Sequence, residues 1–162
     1  MYQCNFFDWQ IMSFQPAQIP NNDNKRVEAV HRADVIEEID SKLYEIYCFL
    51  AKEITGCPVS WTGVIDSEKQ VILARDGFPD DVPNQMPRNQ TLCQFALEKK
   101  QPLIINNMVK DARFKYHPAV TDFGVKFYAA FPIVTSDGYT LGTLCVSDNK
   151  VRKLTKHKIS LL

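Results

Sequence analysis

Residues 125–147 read VKFYAAFPIVTSDGYTLGTLCVS and carry the clearest local structural signal in the chain. Two runs rich in β-branched and aromatic side chains, 125–134 and 139–147, flank the short segment Ser136-Asp137-Gly138. Aspartate and glycine tolerate the positive φ of a tight turn. The stretch therefore predicts an antiparallel hairpin.

The same signals recur upstream of this hairpin. Residues 58–66 and 70–75 are β-branched and aromatic around a polar link, which predicts a second hairpin, and residues 103–105 predict a short strand. Three prolines between 79 and 87 predict an extended loop, followed by a short helix that begins near Asn89 or Thr91. Residues 108–124 are polar, aromatic and aperiodic, and predict a long connection.

An amphipathic helix is expected from about Lys25 to Thr55. Its apolar side chains recur every three or four residues, at Ile36, Ile39, Leu43, Ile46, Leu50 and Ile54. Gly56 and Pro58 mark its end. The stripe is close to a seven-residue repeat, so it suits pairing with a second copy of the chain and also packing on the chain's own sheet.

The order of these elements predicts an α+β fold. We expect a central antiparallel sheet of five or six strands, packed with helices and preceded by a long N-terminal helix. Residues 1–24 mix aromatics, prolines and asparagines without periodicity, which predicts an irregular arm, and residues 25–162 form one domain.

Composition narrows the classes of function. Lysine plus arginine number 19 and aspartate plus glutamate number 19, so no net charge steers the chain toward nucleic acid or an anionic membrane. The basic cluster at 150–158 lacks interleaved aromatics and predicts a solvated helix start. The five cysteines and three histidines lack metal-ligand spacing, so reduced buried thiols, no cofactor and no metal are expected. No leader or long apolar run is present in the sequence, and a cytoplasmic location is expected.

Several segments together resemble bacterial GAF domains. They are Thr91-Leu92-Cys93-Gln94-Phe95-Ala96, Leu103-Ile104-Ile105-Asn106, Asp111-Ala112-Arg113-Phe114, His117-Pro118-Ala119-Val120, the hairpin 125–147 and Arg152-Lys153-Leu154-Thr155. The resemblance runs from about Ala33 to the C-terminus.

This resemblance implies a small-molecule pocket roofed by the loops between the middle strands, and a place upstream of a kinase, cyclase or other effector. The motifs of cyclic-nucleotide-responsive members and the Cys-His dipeptide of bilin-binding members are not evident, which argues against both ligands. The expected function is thus a sensory GAF domain in signal transduction, a homodimer that binds an unidentified small molecule and is not an enzyme.

The candidate ligand-binding residues come from these segments. They are Cys93, Phe95, Asn106, Asp111, Arg113, Phe114, Phe127, Tyr128, Phe131 and Cys145. Asp111 and Arg113 suit either an internal tie of the long connection or a ligand's charged group. The aromatic side chains suit either a pocket wall or ordinary core.

Two alternative functions remain at this point. The fold could serve only as a dimerisation or docking platform, with the pocket filled by phenylalanine and tyrosine side chains. Cys93, Cys145 and His117 also suggest thiol chemistry like that of the GAF-fold enzyme that reduces free methionine sulfoxide, although its cysteine arrangement is not reproduced here. No catalytic residue is therefore assigned.

Overall fold

The computed structural model describes residues 13–36, 41–78 and 81–162. Its strands are β1 (Val59–Ile65), β2 (Lys69–Asp76), β3 (Gln85–Pro87), β4 (Leu103–Ile105), β5 (Phe127–Val134) and β6 (Thr140–Asp148). Its helices are α1 (Asp23–Ala33), α2 (Ser41–Thr55), α3 (Pro118–Thr121) and α4 (Lys156–Ser160). All six strands form one sheet in the order β3-β2-β1-β6-β5-β4. Every neighbouring pair is antiparallel, which confirms the predicted α+β class.

Both predicted hairpins are present. β1 pairs with β2, and β5 pairs with β6 through a turn in which Thr135 N–H donates to Tyr139 O at 2.9 Å. The segment expected to be an extended loop contains the edge strand β3, which the sequence analysis missed. Its last residue, Pro87, is tolerated because β3 pairs with β2 alone.

The predicted long N-terminal helix is two helices. α1 ends at Ala33 because Asp34 takes a left-handed conformation, with φ of 53°, and its N–H donates to His31 O. The second helix, α2, begins at Ser41, and Ile39 of the predicted stripe lies outside the described residues. The periodic pattern in the sequence therefore continues past the residue at which α1 ends.

The two faces of the sheet have different coverings. α2 packs against β1, β2 and β6 through its small side chains Cys48, Ala51 and Thr55, and α1 lies on the same face. We call this the helix side. The opposite face, the loop side, is covered mainly by residues 88–124.

The covering of the loop side contains little regular structure. The helix expected near Asn89 or Thr91 is instead a pair of 3-10 turns, Arg88–Gln90 and Cys93–Ala96. Leu92 and Ala96 are buried there. The long connection adds a third 3-10 turn, Met108–Lys110, and the single turn of α3.

Candidate functional site

A buried polar cluster lies beneath the loop side. It joins the side chains of Gln70 on β2, Tyr128 on β5, and Thr143 and Cys145 on β6 with Cys93 from the turn Cys93–Ala96. We call these five residues the thiol cluster. Cys93 is 1% exposed and Tyr128 and Cys145 are 0% exposed, so the cluster is closed to solvent.

Hydrogen bonds connect every member of the thiol cluster. The Sγ atoms of Cys93 and Cys145 are 3.5 Å apart, and the Tyr128 hydroxyl lies 3.3 Å from each of them. Gln70 Nε2 donates to Cys93 Sγ at 3.3 Å. Cys145 Sγ donates to Thr143 Oγ1 at 3.1 Å. Cys93 is therefore the sulfur toward which most donors point.

This arrangement separates the acidities of the two thiols. Burial raises the pKa of Cys93, but hydrogen bonding with Cys145, Thr143, Tyr128 and Gln70 outweighs burial and lowers that pKa to about 6. Burial and the neighbouring Cys93 raise the pKa of Cys145, and burial raises the pKa of Tyr128. The cluster thus favours one thiolate, on Cys93, held by neutral donors.

Gln70 has an unused hydrogen-bonding atom in this interior. Its side chain is 1% exposed, and its Oε1 finds no partner among the described residues. A buried unpaired carbonyl oxygen is destabilising. Gln70 is not among the candidates predicted from the sequence, although a glutamine directly before the apolar run Val71–Ala74 was a usable signal.

Five of the ten candidate residues meet at this place. Cys93, Phe114, Tyr128 and Cys145 belong to one buried core, and Phe95 packs against it. The Phe95 and Phe114 rings are in edge contact, with centroids 4.8 Å apart. These side chains occupy the space between the sheet and the long connection, where the family resemblance places a pocket.

Three other candidates lie elsewhere. Phe127 and Phe131 are buried on the helix side, because successive residues of β5 point to opposite faces and Tyr128 takes the loop side. Asn106 is exposed, and its backbone oxygen accepts from Arg152 N–H at 3.3 Å. The structure does not bring these residues to the thiol cluster.

Asp111 and Arg113 pair with each other at the surface. Arg113 Nη2 and Nε donate to the two carboxylate oxygens at 2.7 and 3.0 Å, and the Arg113 backbone N–H donates to Asp111 at 3.0 Å. The guanidinium also stacks over the Phe114 ring, 4.8 Å from its centroid. Hydrogen bonding from Arg113 lowers the pKa of Asp111. This geometry is that of an internal tie in the long connection.

Residues 13–20 cross over the turn that carries Cys93, and we call them the strap. Ala17 N–H donates to Gln94 Oε1 at 3.0 Å. The Phe14 ring packs edge-on against His117, with centroids 4.4 Å apart. The strap therefore adds a second layer above the thiol cluster.

His117 has a structural role in this layer. Its Nδ1 accepts from Ala119 N–H at 3.0 Å, so Nε2 carries the proton and donates to Gln90 O at 2.9 Å. Burial lowers the pKa of His117. The neutral ring joins the long connection to the turn before Cys93.

A buried ion network fixes α1 to both hairpins. Asp23 accepts from Arg26 Nε at 2.7 Å and from Arg88 Nη1 and Nη2 at 2.6 and 2.9 Å. Arg26 is 1% exposed and also donates to the backbone oxygens of Ile65, Thr140 and Asp66. The pairing of Asp23 with Arg88 was not predicted, because 65 residues separate them along the chain.

Two open grooves flank the strap. One, of about 460 Å³, lies between Pro16–Ile19 and the segment Pro87–Asn89, and the other, of about 330 Å³, lies between residues 15–18 and Phe95. Both are open at the surface and neither reaches the thiol cluster.

Within residues 13–36, 41–78 and 81–162, no group of three or more histidine, cysteine, aspartate or glutamate side chains could hold a metal ion. None of the helices described there has the length and apolar character needed to cross a membrane.

Comparison with known proteins places this geometry in a family. The sequence model of the GAF domain matches residues 42–162. A cyclic di-GMP phosphodiesterase of Pseudomonas aeruginosa is 27% identical over 145 residues, which cover 88% of this chain and 24% of that protein. The chain thus spans about a quarter of this curated relative.

Solved structures agree on the fold. The GAF domain of a phosphoenolpyruvate-protein phosphotransferase from Coxiella burnetii has a TM-score of 0.61 at 13% identity, covering 86% of this chain and 88% of that one. A domain of a two-component sensor histidine kinase from Sinorhizobium meliloti has a TM-score of 0.57 at 17% identity, covering 76% and 83%. A type II free methionine-R-sulfoxide reductase from Thermoplasma acidophilum has a TM-score of 0.60 at 16% identity, covering 75% and 82%. Sequence match and architecture together make this chain a member of the GAF domain family.

Proposed function

We propose that this chain is a regulatory domain of a signalling protein and that it works as a homodimer joined through α2. The observation that carries the proposal is the outer face of α2, which is apolar and uncovered among the described residues. Its large side chains are between 45% and 56% exposed: Leu43, Ile46, Tyr47, Phe49 and Leu50. Contiguous exposed apolar surface of this kind marks interaction sites.

Charge complementarity favours a second copy of the chain as the occupant. Lys42, Ile46, Phe49 and Glu53 are spaced four, three and four residues apart, so they form one stripe on the outer face. A two-fold antiparallel pair of α2 helices places Lys42 opposite Glu53 of the partner subunit and Ile46 opposite Phe49 of the partner subunit. A parallel pair would place like charges together. The antiparallel pair therefore satisfies both the charges and the apolar side chains.

A matched pair of variants tests this interface. Ile46→Glu places a carboxylate in the middle of the stripe and is expected to give a monomer in light scattering. Val109→Glu makes the same change at a side chain of similar exposure, 48%, on the loop side, and should leave the dimer intact. Equal masses for the two variants would reject α2 as the interface.

For the whole protein we propose a downstream effector enzyme under the control of this domain. The phosphodiesterase relative is about four times longer than the matched region, and a domain of a sensor histidine kinase shares the fold. Kinase, cyclase and phosphodiesterase domains are the effector classes that this proposal includes. Within this proposal the domain regulates that effector and turns over no substrate of its own.

A second candidate role is the response to a small ligand, and the unpaired Gln70 amide supports it. A polar ligand that reached the thiol cluster would satisfy Gln70 Oε1, and its entry would displace residues 88–124 and the strap. Such a ligand would stabilise the displaced arrangement by its differential affinity for the two states. Native mass spectrometry of protein purified from its own host tests this role. A bound molecule that raises the melting temperature when added back supports it, and a bare protein with no thermal shift across a metabolite library rejects it.

A further inference from the structure

The paired thiols of Cys93 and Cys145 have no part in the proposed dimer, yet their positions suit a specific chemical reaction. We propose that Cys93 and Cys145 are an oxidation site, joined in a disulfide when the protein meets hydrogen peroxide or a small hydroperoxide. This inference does not depend on the proposed function, since the two sulfurs lie on the side of the sheet opposite α2.

The separation of the sulfurs is the first support. The two Sγ atoms are 3.5 Å apart, and a disulfide bond is about 2.05 Å long, so they must approach by about 1.5 Å. Cys145 is fixed, because β6 is paired with β1 and β5 on its two sides. Cys93 lies on a 3-10 turn outside the sheet, where a small backbone adjustment completes the approach.

The hydrogen bonds assign the order of the reaction. Donation from Tyr128 and Gln70 favours the thiolate of Cys93, which is the nucleophilic form. Peroxide reaches the closed cluster when the turn Cys93–Ala96, which lies outside the sheet, moves away from it. The thiolate then attacks one oxygen of the peroxide, the O–O bond breaks, and the departing hydroxide takes a proton to form water. The product is a sulfenic acid on Cys93.

The second thiol then completes the disulfide. Cys145 sulfur attacks the sulfenic sulfur of Cys93, an S–S bond forms and the S–O bond breaks. The leaving hydroxide takes the Cys145 proton and departs as a second water. Two thiols lose two electrons in all, and one peroxide is reduced to two waters.

The other described cysteines provide matched controls. Cys48 and Cys57 are buried on the helix side, apart from the thiol cluster. Burial raises the pKa of Cys48 to about 11 and also raises that of Cys57. Both should remain thiols at a peroxide dose that joins Cys93 to Cys145.

Peptide mapping of the oxidised full chain tests the proposal. The protein is treated with hydrogen peroxide and then denatured in the presence of a maleimide, which blocks the remaining thiols. It is digested with trypsin without reduction. The expected product joins peptide 89–99 to peptide 127–150 with the loss of two hydrogens, and dithiothreitol separates them. The peptides that contain Cys48 and Cys57 should carry the maleimide.

Two variants complete the test. Cys93→Ser should abolish the joined peptide, and Cys57→Ser should leave its yield within about twofold of wild type. The folded wild-type protein is treated with a dose of peroxide that oxidises a free model thiol. If maleimide is then found on both Cys93 and Cys145, the proposal is overturned. A joined pair that uses Cys48 or Cys57 would overturn it as well. The wild-type map decides the matter even if Cys93→Ser fails to fold.

Discussion

Asp23 holds two buried guanidinium groups, those of Arg26 and Arg88, and its carboxylate is their shared anionic partner. Removing one member of such a network leaves uncompensated buried charge. Leaving such a charge buried without its partner costs more free energy than breaking any surface ion pair in the described residues. Stability at the start of α1 is therefore concentrated in one side chain.

We expect Asp23→Ala to lower the free energy of unfolding by about 3–5 kcal/mol. Urea denaturation measures this. Arg32→Ala is the control, because its pair with Asp137 is exposed at both ends, with side chains 60% and 49% exposed. The control should lose no more than about 1 kcal/mol. Similar losses in the two variants would contradict the assignment.

Asp23 also predicts a dependence of stability on pH. Burial raises its pKa, but hydrogen bonds from Arg88 and Arg26 outweigh burial and leave the pKa below the ordinary value. The folded protein thus binds this proton less readily than the unfolded chain, whose aspartate pKa is about 3.9. Asp23 stabilises the fold above that pH, and the contribution is lost as pH falls through the folded pKa.

The measurement is the free energy of unfolding from about pH 5 down to about pH 2, compared with Asp23→Asn. The wild-type protein should lose more stability over this interval than the variant does. Asp111 also has a lowered pKa, but its contribution to the pH dependence is the same in both proteins and cancels in the difference. Parallel curves would show that Asp23 does not titrate with folding.

Among the elements, the contact between β1 and β6 depends on the absence of a side chain at Gly142. Gly142 on β6 is opposite Val64, next to Gly63, where β1 has an irregularity in its pairing with β2. A Cβ atom at position 142 would lie 1.9 Å from Gly63 O and 2.6 Å from Val64 Cα. Both obstacles are backbone, so the two central strands would have to separate.

Gly142→Ala is expected to lower the free energy of unfolding by about 3 kcal/mol, the upper range for overpacking. Gly124→Ala is the control. Position 124 has a positive φ of 68° but nothing within 4 Å of the added atom, so only backbone strain of about 1 kcal/mol applies. Thermal and urea unfolding should therefore show a larger loss of stability for Gly142→Ala than for Gly124→Ala. Equal losses would mean that β1 moves to accommodate the methyl group without loss of stability, which would contradict the assigned role of Gly142.

Local patterns predicted the elements better than the site. The hairpin 125–147 and the strand Leu103–Ile105 were predictable because turn residues and β-branched runs act over a few neighbours. The break after α1 was not, because the left-handed Asp34 has no strong local signal. In α2, periodicity predicted an apolar stripe but not which apolar side chains pack on the sheet. Cys48 and Ala51 face the sheet, whereas Ile46 is exposed.

The thiol cluster was only partly predictable for a related reason. Cys93, Tyr128 and Cys145 were selected through the family resemblance, whereas Gln70 was not. Phe127 was grouped with Tyr128, but alternation along β5 places them on opposite faces of the sheet. A site built from four separate segments depends on register, which a single sequence does not display.

For the molecule as a whole, the antiparallel α2 pair makes a prediction about mixed subunits. Lys42→Glu alone and Glu53→Lys alone each place like charges at both ends of the homodimer. An equimolar mixture restores two opposite-charge contacts, because each chain supplies what the other lacks. Native mass spectrometry should therefore find heterodimer in excess of the half of all dimers that random pairing gives, with the excess decreasing as salt screens the charges. A statistical distribution of the three dimers at low salt would contradict the antiparallel register.

The claim that the GAF domain acts as a dimer is tested most directly by the mass of the wild-type chain in solution. Sedimentation velocity over a range of micromolar concentrations measures it without labels or substitutions. The predicted result is a species of twice the 18.6 kDa chain mass. A single species at the chain mass across the whole range would contradict the account.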